Sequence, residues 1–96
     1  MRNIKLVLEY DGTNYHGWQA QTGAGRPTIQ ETLERALADL TGERIATVSS
    51  GRTDAGVHAC GHVANFATSS SIPAANFAKA LNRLLPPDVR SVHSEE

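Results

Sequence analysis

The residues best equipped for chemistry in this chain occupy one short stretch, Gly51-Arg52-Thr53-Asp54-Ala55-Gly56-Val57-His58-Ala59. One carboxylate, Asp54, stands between two glycines and two positions after an arginine. Gly51 and Gly56 permit backbone conformations that a side chain disfavours, so a tight, irregular connection between the flanking apolar runs is expected. A carboxylate that is ionised and held still can serve as a nucleophile or as a general base. Arg52 can favour the ionised form through its charge, clamp a phosphate, or stack on a base. The plain alternative is a polar hairpin turn with Arg52 and Asp54 as a solvated pair. No second carboxylate lies within the stretch, which leaves paired-acid glycoside chemistry without a partner there. Nor does Gly23-Ala24-Gly25 lead into the Gly-Lys-Ser/Thr element of a phosphate loop.

His58, Cys60 and His62 follow as His-x-Cys-x-His, a spacing that would put all three on one face of a regular strand and could hold zinc or copper. Structural zinc sites take four ligands, and a fourth would have to come from a distance. A small cysteine flanked by histidines is also an ordinary core pattern. The expectation is that no metal binds, that His58 fixes the turn by hydrogen bonding or touches a substrate, and that His62 packs.

The elements that must position this stretch are legible as periodicities. Ile4, Leu6, Leu8 and Tyr10 alternate with Lys5 and Glu9, the pattern of a half-buried strand. Asp11-Gly12-Thr13-Asn14 ends it, and no regular pattern returns before Thr28. A connection of this length without periodicity is usually functional or disordered. It holds Tyr15, His16, Trp18, Gln19, Gln21 and Arg26, and its two aromatics suit either stacking on bases and covering a pocket or tying the loop to the core. Thr28-Ile29-Gln30-Glu31 is a capping box, followed by Leu33, Ala36, Leu37 and Leu40 at helical spacing until Gly42. Ile45 to Ser50 predicts a second strand and Gly61 to Thr68 a third, joined by the acid-bearing stretch. Ala74 to Leu85 predicts a second helix ended by Pro86 and Pro87, and Val89 to His93 a fourth strand. Strand, helix, strand, strand, helix, strand is the ferredoxin-like α+β order, an antiparallel sheet of four strands with both helices on one face. Such domains host many unrelated functions, so the site must carry the functional argument.

Ninety-six residues fit one domain with a modest core. A hydrophobic fraction of 40% and a charged fraction of 20% belong to a globular chain, and no apolar run approaches membrane length. The first residues lack the continuous apolar core of a signal peptide, and the single cysteine, Cys60, agrees with a reducing compartment, so a cytoplasmic location is expected. A formal net charge of -1 does not advertise nucleic-acid binding. Seven of the nine basic residues are nevertheless arginines, the type suited to phosphate forks and base stacking.

Residues 51–59 resemble the active-site motif of the TruA-type tRNA pseudouridine synthases. Tyr10-Asp11-Gly12-Thr13-x-Tyr15-x-Gly17-Trp18-Gln19-x-Gln21 is similar to the N-terminal signature of that family, as are Thr28-Ile29-Gln30 and Leu81-Asn82-x-x-Leu85-Pro86. The resemblance implies isomerisation of uridine to pseudouridine in the tRNA anticodon stem and loop, with no cofactor and no catalytic metal. It matches Asp54 to the catalytic aspartate, which starts cleavage of the bond between uracil and ribose. Arg52 matches the arginine that helps to hold the flipped nucleotide or fill its vacated place. Thr53, His58, Tyr15, Trp18 and Gln19 are the remaining expected substrate contacts. His62 stands where the family commonly carries glutamine. The resemblance also implies a homodimer with tRNA touching both subunits, and a second domain of similar topology that supplies the base-stacking tyrosine and a basic partner for the aspartate. Neither group is among these 96 residues, so the chain is expected to be a single N-terminal domain, inactive alone. The reading from another class is a noncatalytic ferredoxin-like module that binds RNA or a protein.

Overall fold

The computed structural model describes residues 1–15, 17–18, 28–49 and 59–96. Its elements run β1 (Arg2–Tyr10), α1 (Ile29–Thr41), β2 (Thr47–Ser49), β3 (Ala59–Thr68), α2 (Asn76–Asn82) and β4 (Val89–Glu95), with one turn of 3₁₀ helix at Gly12–Asn14. The strands form one antiparallel sheet in the order β2-β3-β1-β4. This is the expected ferredoxin-like α+β arrangement.

The alternation in β1 does what its period predicts: Ile4, Leu6 and Leu8 are fully buried and Tyr10 nearly so. Across the register Ala64 opposes Leu6 and Phe66 opposes Ile4, which extends the same apolar face onto β3. Ile29, Leu33 and Leu37 from α1 and Phe77 and Leu81 from α2 join one core cluster with these strand residues. Both helices therefore cover the same side of the sheet. Phe66 and Phe77 meet edge to face at 5.4 Å, so α2 is seated on β3 by an aromatic pair whose geometry adds to its burial.

Helix α1 begins and ends as its sequence dictates. Glu31 N–H donates to Thr28 Oγ1 and Thr28 N–H to the Glu31 carboxylate, the reciprocal capping box. Gly42 closes the helix in the left-handed region at φ 74°, its N–H donating to Ala38 O. The short α2 is tied to β4 by side chains that bind backbone. Asn82 accepts from Ser91 N–H and donates to Ser91 O, while Ser91 Oγ donates to Ala78 O.

Five elements differ from the periodicity at a boundary. β2 is described over Thr47–Ser49, starting two residues later than expected, with Ile45 buried ahead of it and Ser50 outside the described residues. α2 spans Asn76–Asn82, flanked by turns that bring Leu85 N–H to Leu81 O before the prolines. β1, β3 and β4 each extend beyond the expected strands, and the ladder carries two irregularities, between Leu8 and Glu9 against β3 and between Val7 and Leu8 against β4.

Candidate active end of the sheet

In this topology β1 and β2 finish, and β3 and β4 begin, at the same end of the sheet, where α1 also starts. The stretches singled out in the sequence are far apart along the chain, and those that are described meet at this end.

The loop after β1 is pinned twice. Asp11 caps the 3₁₀ turn: Thr13 N–H donates to its carboxylate at 3.0 Å and Thr13 Oγ1 at 2.6 Å, which is why Asp-Gly-Thr follows the strand. Asp11 N–H then donates to Asp88 O, and the Tyr15 hydroxyl donates to Asp88 Oδ1 at 2.7 Å. Burial of the phenol, with the Asp88 hydrogen bond and negative charge, pushes the Tyr15 pKa well above its ordinary range. Tyr15 is thereby a permanent donor, fastening the loop to the connection that follows Leu85-Pro86.

Gly17 and Trp18 are held by the start of α1. Ile29 N–H donates to Gly17 O at 3.1 Å and Gln30 N–H to Trp18 O at 2.9 Å, so two of the otherwise unpaired amides of the first helical turn are used on this dipeptide. Gln30 Nε2 also donates to Thr47 O of β2. Trp18 is 2% exposed, and its ring tilts against His62 at 4.6 Å, with Tyr10 meeting the same imidazole edge-on at 5.8 Å. His62 Nε2 pairs with Ser49 Oγ at 2.6 Å. Burial lowers the His62 pKa, which favours the neutral ring.

Between Leu8 and Glu9 the ladder skips one residue of β3: His62 opposes Leu8, Cys60 opposes Glu9, and Gly61 is the extra residue, at φ 90°. A glycine in this region marks a bulge. Among the described residues, its chain neighbours aside, no atom lies within 4 Å of where a Cβ at Gly61 would sit, so the demand for glycine there comes from the dihedral angle. The bulge also revises the expected geometry of His-x-Cys-x-His. On an unbroken strand positions 60 and 62 would share a face; here they register against adjacent residues of β1. Among the described residues no group of three or more histidine, cysteine or acidic side chains could hold a metal ion.

Of the expected site residues, Asp54, Arg52, Thr53, His58 and Gln19 lie outside the described residues. Tyr15 and Trp18 are described, at 4% and 2% exposure. Of the two roles weighed for these aromatics, the geometry displays the one that ties the loop to the core. Sequence reasoning missed Asp88, the partner of Tyr15, and Ser49, the partner of His62; these contacts span 73 and 13 residues and carry no local signal. His62 packs, as expected.

A family model described as tRNA pseudouridine synthase matches residues 6–96, and the chain belongs to that family. It is 56% identical over all its 96 residues to the tRNA pseudouridine synthase A of Acetivibrio thermocellus. The corresponding identities are 55% for the protein of that name from Clostridium kluyveri and 52% for that of Ruminiclostridium cellulolyticum. In each case the chain covers 38% of the relative's length.

Proposed function

We propose that this chain carries the catalytic-aspartate portion of a tRNA pseudouridine synthase, an enzyme that isomerises uridine in the anticodon stem and loop. The observation that carries the reading is the convergence at one end of the sheet of Tyr10 to Tyr15, Gly17-Trp18, Thr28-Ile29-Gln30 and the segment after Leu85, around the two strands that residues 50–58 connect. Family membership and the shared names of relatives at 52–56% identity support it.

In this reading Asp54 is the catalytic group. The bond from N1 of uracil to C1′ of ribose breaks, the freed ring turns, and C5 joins C1′; the proton lost from C5 is balanced by one gained at N1. A paired uridine must first leave the stack, at a cost of about a few kcal/mol. Arg52 holds the flipped nucleotide or fills the gap it leaves, a use suited to a planar and always charged guanidinium. Thr53, His58 and Gln19 contact the substrate, while Tyr15 and Trp18 support it from within the core. The remainder of the protein supplies the base-stacking tyrosine and the basic partner of Asp54, so the 96 residues alone are without turnover. The complete protein works as a cytoplasmic homodimer on tRNA, without cofactor or metal.

The test is Asp54→Asn in the complete protein. Conversion of tRNA uridine should fall by at least roughly 10³-fold while tRNA affinity, which rests on phosphate contacts, stays within about threefold. Undiminished conversion would reject Asp54 as the catalytic group and favour a noncatalytic RNA- or protein-binding module.

A further inference from the structure

We propose that His62, through its hydrogen bond to Ser49 and its packing on Trp18, is a positioning residue for the acid-bearing stretch, setting where the chain leaves β2 and re-enters β3. The inference rests on the reading of Asp54 as the catalytic group.

Ser49 is the last described residue before that stretch and Ala59 the first after it. Ser49 opposes Ala64, and the bond to His62 reaches two residues past that partner along β3. Among the described residues Ser49 and Ala64 are the pair of this ladder nearest the acid-bearing stretch, and the side-chain bond adds a second tie between the two strands there. At 2.6 Å it is short, and it lies in a half-buried setting where a lost partner is costly.

The imidazole is itself immobilised. Trp18 lies against it, Tyr10 meets its edge, and the Gly61 bulge turns it toward Leu8 and the core instead of leaving it in step with Cys60. Trp18 in turn is held by the first turn of α1, and the same helix reaches β2 through Gln30. A continuous chain of contacts therefore runs from the helix through Trp18 and His62 to Ser49. Packing alone would need only an apolar ring at position 62; the bond to Ser49 adds a fixed direction. Positioning of this kind matters because a misplacement of about 1 Å at a reacting group can cost on the order of 10²-fold in rate.

The experiment uses the complete protein with S49A, H62F, the double variant and H62Q, well below the unfolding temperature. Phenylalanine keeps a ring and removes the bond; glutamine places an amide where Nε2 sits and can restore it. For S49A and H62F, kcat for pseudouridine formation should fall about tenfold with KM within about twofold, as expected for loss of one buried hydrogen bond. The double variant should lose no more than either single one, and H62Q should recover to within about threefold of wild type. Amide exchange should rise for residues 49 and 59–62 and stay unchanged in β4. A purely structural contact would lower the urea midpoint and leave kcat of the folded enzyme alone. Unchanged kcat in S49A and H62F, additive losses, or unchanged exchange would overturn the proposal. Wild-type protein that forms no pseudouridine would instead reject the function reading; amide exchange then decides the tie by itself, raised exchange supporting it and unchanged exchange overturning it.

Discussion

The two ends of the sheet are both fastened by side chains, yet they are fastened differently. At the far end, where β1 begins and β3 finishes, the work falls to charged groups on short connections. The Arg2 guanidinium donates to Ser70 O at 2.6 Å and Ile72 O at 2.7 Å, and Glu43 accepts from Thr68 and Ser69. The Ser69 and Thr68 hydroxyls hold the Glu43 carboxyl below its ordinary range. At the near end the connections are longer, and the anchors are aromatic: Tyr15 on Asp88, and Trp18 and Tyr10 on His62. A charged clamp on a short turn closes a fold. Buried rings instead anchor the described residues of the other end, where Tyr10 to Tyr15, Gly17-Trp18, Thr28-Ile29-Gln30 and the segment after Leu85 come together.

The sharpest way to break this comparison is Asp54→Asn against Arg2→Ala in the complete protein. The first should remove turnover by roughly 10³-fold or more. The second, losing charge-assisted bonds to two carbonyls, should cost about 1–2 kcal/mol in urea unfolding and leave kcat untouched. A large kcat loss for Arg2→Ala would abolish the division between the ends.

Trp18→Ala should cost about 3–5 kcal/mol of stability, since it removes a buried ring at the meeting point of α1, β1 and β3. Its effect on turnover should exceed that of Phe77→Ala, an equally buried ring that pairs with Phe66 and should cost a similar amount of stability. Equal effects on kcat in the folded fraction would show that the near end merely packs.

Gly61→Ala should cost about 1–2 kcal/mol, because the φ of 90° excludes a side chain although space for one is open. Thr28→Ala should cost about 1 kcal/mol by loss of the cap. Both are read from urea midpoints.

The smallest effect expected is a pH dependence. The folded pKa of His62 lies below its ordinary value, so the unfolded chain binds more protons in the window below about pH 6.5. The stability contributed by the neutral ring is complete above that window and declines as pH falls through it. In H62F this part of the slope of stability against pH should vanish; an unchanged slope would assign it to another group.

Much of this architecture was legible in the residue order because it rests on local rules. Alternation in Ile4 to Tyr10, the Thr28–Glu31 box and Gly42, and the helical spacing of Phe77 and Leu81 each depend on neighbours a few positions away, and together they imposed the ferredoxin-like order. The resemblance of residues 51–59 to a known motif pointed to the chemistry for the same reason, since it is one unbroken stretch. Tertiary structure decided the rest. Whether Tyr15 and Trp18 face a ligand or the core, and which residues 60 and 62 oppose, depends on pairings with Asp88, Leu8 and Glu9, many positions away. The bulge at Gly61 moves the register by one residue, and one residue is enough to exchange the faces of a strand. No periodicity within β3 records that shift, because it is defined only against β1.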